Sequence, residues 1–240
     1  MGYHEREEGS IVYILVVDDD NFANNLVQFV LSKEGYEVAT TDNPRWATQL
    51  IQKREPDLLI VDVMMPYITG FEFATKLRAE GYETPIIFIT AQDNIESKLQ
   101  GFEIGADDYV CKPFIHQELV ARVNAVMRRI KKHAMVGNQS IRGGQIELFP
   151  AELQVTMDGQ TVINLTPTEM QVLRVLMNYA GQVVTREQLL SEVWNDDGSD
   201  SNIVDVYIRR LRLKLEADPN KPQYIVSMRG LGYKFVGKIG

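Results

Sequence analysis

The run Leu58-Leu59-Ile60-Val61-Asp62-Val63-Met64-Met65-Pro66 decides how the chain is read. Four consecutive aliphatic residues predict a strand buried on both faces, the pattern of a parallel sheet. The strand ends in one carboxylate, and a proline closes the segment. A lone carboxylate is costly beside a core unless a cation or a proton stands near it. Asp62 is therefore a candidate for chemistry. Many α/β strands end in Asp, however, so the surrounding sequence has to decide.

Bulk properties set the frame. The chain has 240 residues, 45% hydrophobic and 24% charged, the composition of an ordinary soluble globular protein of one or two domains. No apolar run approaches the roughly 20 residues that span a bilayer, and no membrane role is expected. The opening MGYHEREEGS lacks the apolar core of a signal peptide and reads as a disordered lead-in over 1–10. Cys111 is the single cysteine, which excludes an internal disulfide and fits a reducing, cytoplasmic setting. The net charge is −8, but the first 127 residues carry 10 Lys and Arg against 21 Asp and Glu, and the remainder carries 15 against 12. An acidic part joined to a mildly basic one predicts two domains with different partners.

Around the opening run, the first half repeats one unit. Ile11–Val17 is apolar and stops at Asp18-Asp19-Asp20; Tyr36–Thr40, the opening run, Pro85–Ile89 and Asp108–Cys111 follow as further strands. Between them lie stretches with helical spacing: Phe22, Leu26, Phe29 and Val30; then Trp46, Leu50 and Ile51; then Phe71, Ala74 and Leu77; then Ile95, Leu99 and Phe102. A last helix carries Leu119, Val120, Val123, Val126, Met127 and Ile130. Five β-α units predict a parallel sheet covered by helices on both faces. Ligands of such sheets bind at the carboxyl ends of the strands. Asp18, Asp19, Asp62, Thr90 and Lys112 all fall at that edge.

Those parts suit phosphoryl transfer to a carboxylate. Clustered acids repel one another, and Mg²⁺ relieves that cost in an open site of a few carboxylates. Asp62 is the candidate nucleophile, Lys112 the partner of phosphoryl oxygens, and Thr90 a hydroxyl donor. Asp20, one residue on, reads as a helix cap. VVDDD, DLLIVDVMMP, FITA and GADDYVCKPF, in this order, resemble the receiver domain of response regulators over residues 11–131. The resemblance implies a flavodoxin-like, doubly wound five-stranded parallel sheet of order 2-1-3-4-5. It implies phosphorylation of Asp62 by a sensor histidine kinase, and Mg²⁺ held by Asp18, Asp19, Asp62 and the Met64 carbonyl. It further implies a switch pair of Thr90 and Tyr109, a cis bond between Lys112 and Pro113, and a homodimer interface through Lys98, Asp107, Asp108, Glu118 and Arg122.

After Arg128-Arg129-Ile130-Lys131-Lys132, apolar periodicity is lost, and 132–144 reads as a linker. QIELF, LQVTM and TVINL then alternate as strands of a small antiparallel sheet. Thr166-Pro167-Thr168-Glu169 opens a helix with a capping box and buries Met170, Leu173, Leu176 and Met177. A second helix starts near Thr185. NIVDVYIRRLRLKLE combines an apolar stripe with Arg209, Arg210, Arg212 and Lys214, and the hairpin YIVSMRGLGYKFV follows with Arg229 near its tip. A basic helix sized for the major groove and a cationic wing is a DNA-reading arrangement.

LTPTEMQVLRVLMNYAGQVVTREQLL, VDVYIRRLRLKL and MRGLGYKF resemble the winged-helix effector domain of OmpR/PhoB-type regulators, a winged helix-turn-helix over 145–240. By that resemblance Val206, Arg210 and Arg212 face bases, Tyr207, Arg209, Ser227 and Tyr233 touch phosphates, and Arg229 approaches the minor groove. Asn202 and Ile203 depart from the family's common Arg and Thr. The whole chain then reads as a phosphorylation-controlled transcriptional regulator binding double-stranded DNA at tandem half-sites and working with RNA polymerase. It is not expected to be an enzyme beyond accepting its own phosphoryl group and slowly losing it. Two other readings are a phosphorylation-independent regulator and a phosphoaspartyl-type phosphatase. The latter uses a second Asp two residues after the nucleophile, where this chain has Met64. With Met64 and Gln92 near the phosphoryl group, no carboxylate is placed to orient water, so dephosphorylation is expected to be slow.

Overall fold

The computed structural model describes residues 11–91, 94–134, 140–194 and 202–237. The lead-in at 1–10, Gln92, most of the expected linker and the loop before the basic helix lie outside them. The chain divides into two compact units at Met127 and Arg128.

The first unit runs β1 (Tyr13–Val17), α1 (Asn21–Lys33), β2 (Glu37–Thr41), α2 (Pro44–Lys53), β3 (Leu58–Asp62), α3 (Gly70–Ala79), β4 (Ile86–Thr90), α4 (Ile95–Ile104), β5 (Asp108–Cys111) and the start of α5 (His116–Ala134). All strand pairs are parallel, in the order β2-β1-β3-β4-β5. Every residue of β1, β3 and β4 is buried, as continuous aliphatic runs require when helices cover both faces of a sheet. The edge strand β2, EVATT, is partly exposed and correspondingly more polar. Side-chain caps set the helix starts: Asp20, Asn43, Thr69 and Asn94 each accept a backbone N–H from the first turn. The assignment of Asp20 as a cap therefore holds.

One helical face differs from the sequence expectation. In α1 the buried residues are Asn24, Val27 and Leu31, while Phe22, Leu26 and Phe29 are exposed. A polar residue facing the core hid the true stripe. The Asn24 amide donates to the Asp18 carbonyl at 2.6 Å, which binds α1 to the end of β1.

The second unit opens with β6 (Ile141–Gly143), β7 (Ile146–Phe149), β8 (Gln154–Met157) and β9 (Thr161–Asn164), an antiparallel sheet in that order. Then come α6 (Pro167–Asn178), β10 (Val183–Thr185), α7 (Arg186–Trp194), α8 (Asn202–Leu215) and the hairpin β11 (Ile225–Met228) and β12 (Gly232–Phe235). The last sheet has the order β10-β12-β11. β6 falls inside the stretch expected as linker. Its Gly143 resembles linker glycine, yet a Cβ there would meet the Phe235 ring at 2.6 Å and Met177 at 3.0 Å, so the glycine serves close packing. β10 was not read from the sequence either, because a strand of three residues carries no measurable period. The capping box is present: Thr166 and Glu169 exchange side-chain and backbone bonds at the start of α6.

Candidate acceptor site and nucleic-acid interface

The parallel topology brings the ends of β1, β3, β4 and β5 to one edge. Lys112, just past β5, places its Nζ 2.7 Å from Asp62 Oδ1 and 2.8 Å from Asp18 Oδ2. The other Asp62 oxygen, Oδ2, accepts the Met64 backbone N–H at 2.7 Å. Asp18 Oδ1 accepts the Asp20 N–H at 2.9 Å. Asp18 and Asp62 are each 3% exposed, whereas Asp19 faces solvent. Burial pushes the Asp62 carboxyl above its ordinary value; the Lys112 hydrogen bond opposes this, and the Asp18 charge adds to it. Burial alone would lower the Lys112 ammonium, but its bonds to Asp18 and Asp62 outweigh that and raise it. The site holds a cation and three acids, and remains short of positive charge. The Lys112-Pro113 peptide is cis, as the receiver resemblance implied.

The donor set fits a hard divalent ion. One carboxylate oxygen from each of Asp18, Asp19 and Asp62 lies within 4.8 Å of the others, and Asp19 leaves the cluster open to solvent. Oxygen donors, few in number and open to water, match what Mg²⁺ accepts. The Met64 side chain is 55% exposed, two residues beyond Asp62, and brings no carboxylate or amide to that position. Gly70, at the first position of α3, was not singled out by the sequence. A Cβ there would overlap the Asp62 carbonyl, so only glycine lets α3 start against the Asp62 backbone.

Thr90 is fully buried at the end of β4, and Tyr109 is 5% exposed. The Tyr109 ring packs against Phe88 at 5.9 Å and Phe102 at 6.3 Å. Its hydroxyl lies 3.5 Å from the Ser97 carbonyl and is also hydrogen-bonded with Thr90. Burial, foremost, raises its pKa. The structure therefore brings Thr90 and Tyr109 together, with the ring turned inward.

The expected interface residues divide. Asp107 is fully buried, and its Oδ2 accepts the Ile86 N–H at 3.0 Å, so it fixes β4 within its own chain. Asp108 is 8% exposed and takes Arg122 Nη1 at 2.8 Å; Arg122 Nε also reaches Glu118 at 3.2 Å. Lys98 is partly exposed on α4.

The basic helix α8 departs most from expectation. Arg210 turns inward: its Nη2 lies 2.6 Å from Oε1 of Glu169, with side-chain exposures of 10% and 0%. Lys214 joins the same carboxylate at 2.9 Å. Burial alone would raise the Glu169 carboxyl, but Arg210 and then Lys214 overcome it and hold the group at about 2. Arg212 donates to the Ile225 carbonyl at 2.8 and 2.7 Å and to Ser227 Oγ at 2.9 Å, bracing the wing against the helix. Tyr207 is fully buried against Trp194, and Val206 is 9% exposed. Tyr233, 5% exposed, directs its hydroxyl to Asp205 at 2.7 Å, which also binds Arg186.

In this fold Arg210 and Tyr207, expected to contact a base and a phosphate, are engaged in the core, and Val206, Arg212 and Tyr233 in packing and bracing. For the two arginines the reason is the same: the sequence displays cations without the buried carboxylate or backbone carbonyl that turns each one. Asn202, Asp205, Arg209 and Leu213 form the exposed face of α8, and Ser227, Arg229 and Leu231 are exposed on the wing. Arg229 stands in the turn between β11 and β12, where Gly230 has φ +73°. Glu169 and Glu216 were not anticipated as hubs. Glu216 accepts the N–H groups of Gln223, Tyr224 and Ile225 at 2.8, 2.9 and 2.9 Å, and so fixes the start of β11.

An acid-lined sheet edge in one unit and a winged helix in the other define a two-domain regulator with a receiving site and a DNA-binding output. Residues 14–124 match the family model of the response regulator receiver domain, and residues 159–235 match that of the transcriptional regulatory protein C-terminal domain. A probable transcriptional regulatory protein of Picosynechococcus sp. is 39% identical over 231 residues, covering 92% of each chain. The chain is 34% identical to the Thermotoga maritima response regulator DrrB, described as an OmpR/PhoB homolog, over 95% of this chain and 100% of that one, with a TM-score of 0.49. A cysteine-to-aspartate mutant of RitR is 28% identical and covers 93% of this chain and 98% of its own, with a TM-score of 0.78. The chain belongs to the OmpR/PhoB-type response regulators. Among the described residues, no helix is long and apolar enough to cross a membrane.

Proposed function

We propose that the chain accepts a phosphoryl group on Asp62 from a sensor histidine kinase and that the modified form binds specific DNA as a dimer. The observation that carries this reading is the Asp62 carboxylate, held by Lys112 at 2.7 Å and by the Met64 N–H at 2.7 Å, beside the acids Asp18 and Asp19. A carboxylate oxygen attacks phosphorus, the P–N bond to the donor imidazole breaks, and the imidazole keeps the electron pair and takes a proton. Asp18, Asp19 and Asp62 would hold Mg²⁺, which supplies charge neutralisation at the phosphoryl oxygens. Lys112 then pairs with a phosphoryl oxygen, and Thr90, bonded with Tyr109, supplies the hydroxyl that senses it.

The product is expected to be long-lived. Met64 offers neither a carboxylate nor an amide to orient an attacking water. On DNA, Arg209 and Arg229 carry the exposed positive charge of helix and wing, and Ser227 is exposed on the wing strand. Tandem half-sites are expected from pairing of two copies through α4, β5 and α5, and RNA polymerase is the downstream partner. The test is mass spectrometry of the full chain after incubation with an acyl-phosphate donor and Mg²⁺. One added phosphoryl group on the wild type and none on Asp62→Asn is expected; equal labelling of the variant overturns the assignment.

A further inference from the structure

Glycine in the interior of an α-helix costs roughly 0.5–1 kcal/mol relative to alanine. Gly101 takes that cost as the seventh of ten residues in α4, well before the left-handed cap at Gly105. Its surroundings give the reason. A Cβ built there would stand 2.7 Å from Cε2 of Tyr109, 3.2 Å from Cδ2 of Phe88 and 3.4 Å from Cε1 of Phe71. Three aromatic rings converge on one missing methyl group.

The neighbours are not equally close. Phe88 is fully buried in β4, and Phe71 meets it edge to face at 4.9 Å; Tyr109 shares their core cluster. The Tyr109 ring edge is the nearest of the three, at 2.7 Å, and its hydroxyl, hydrogen-bonded with Thr90, lies 3.5 Å from the Ser97 carbonyl. A side chain added at position 101 therefore displaces the tyrosine first. The inward place of Tyr109 exists because α4 presents a bare backbone there.

We infer that Gly101 is a positioning residue of the switch: by withholding a Cβ it opens the slot that receives the inward Tyr109 ring, and so sets how strongly phosphorylation favours the DNA-binding dimer. The inference rests on the reading of Thr90 and Tyr109 as the pair that responds to a phosphoryl group on Asp62. Gly101 touches neither Asp62 nor Lys112, and phosphoryl acceptance is independent of it.

The test uses the full chain as wild type, Gly101→Ala, Tyr109→Leu and the double variant. Tyrosine nitration mapped by peptide mass spectrometry reads the exposure of Tyr109, and analytical ultracentrifugation with and without an acyl-phosphate donor reads the gain in dimerisation. In Gly101→Ala, nitration at Tyr109 is expected to rise several-fold while acceptance of the phosphoryl group stays at the wild-type level. The dimerisation gain should fall about tenfold, a step typical when overpacking biases a two-state equilibrium. In the Tyr109→Leu background the added methyl should change the gain by less than about twofold, because the residue it acts through is gone. Unchanged nitration, or an equal loss in both backgrounds, overturns the inference. Should wild type accept no phosphoryl group, the proposed function fails by itself, and nitration alone then decides whether Gly101 positions Tyr109.

Discussion

Replacing Arg210 by Met should destabilise the second unit and leave DNA sequence preference intact. Arg210 and Glu169 face each other at 2.6 Å with side-chain exposures of 10% and 0%. The Glu169 carboxyl is held at about 2 against an ordinary 4.5, a difference worth roughly 3 kcal/mol at neutral pH. The Arg210 charge is the foremost cause of that depression, and Lys214 adds its charge and a hydrogen bond. Its loss should cost about 2–3 kcal/mol, near the lower end for removing one partner of a buried pair. For a domain of this size that lowers the melting temperature by roughly 10 °C. Calorimetry of the full chain is the assay, with the first unit's transition as internal control. The pH dependence has a definite sign. A depressed carboxyl stabilises above pH 4.5, and that stability is lost as pH falls towards 2; in Arg210→Met the loss should begin at higher pH. The ratio of affinities for a selected site and a scrambled one should stay within about threefold of wild type, since no base contact is removed. A shift under about 2 °C together with loss of preference would refute the inward placement of Arg210.

Three further outcomes follow from the geometry. Glu216→Gln should destabilise the second unit by about 1–3 kcal/mol, read by the same melts, because three backbone N–H groups lose a charged acceptor. Arg229→Ala should weaken DNA binding across sequences and reduce the slope of log affinity against log salt by about 1 if the wing contacts a phosphate; an unchanged slope removes it from backbone contact. Mg²⁺ at about 100 times its dissociation constant should stabilise the first unit by about 2.7 kcal/mol. Asp19→Asn should remove most of that gain, and a gain of equal size in the variant would count against the carboxylate cluster.

The grouping of side chains at the sheet edge was legible because its signals are local and its geometry is topological. A run such as Leu58–Val61 is buried wherever a parallel sheet is covered on both faces, and parallel strands bring Asp18, Asp62, Thr90 and Lys112 to one edge without further information. Side-chain direction on α8 was not legible, because it depends on partners far away in sequence. Glu169 reads as the third residue of a capping box and does perform that role, yet the same carboxylate also captures Arg210 and Lys214 from 41 and 45 residues away. Asp107 reads as surface charge beside Asp108, but alternation along the strand entry turns it into the core, onto the Ile86 N–H. On α1, Asn24 replaced the apolar residue that would have marked the buried face, and three exposed apolar residues marked the wrong one. For Arg210, Lys214 and Asp107 an unread polar partner redirected a side chain whose type had been read correctly.

The central claim is that a phosphoryl group on Asp62 controls DNA binding by the second unit. Its most direct test is the dissociation constant for a selected tandem site, measured with wild type and Asp62→Asn, each with and without an acyl-phosphate donor and Mg²⁺. Wild type should bind about tenfold or more tightly when phosphorylated, within the usual range of coupling between sites, and Asp62→Asn should bind alike under both conditions. Equal affinity of phosphorylated and unphosphorylated wild type, with phosphorylation verified by mass, would contradict the account.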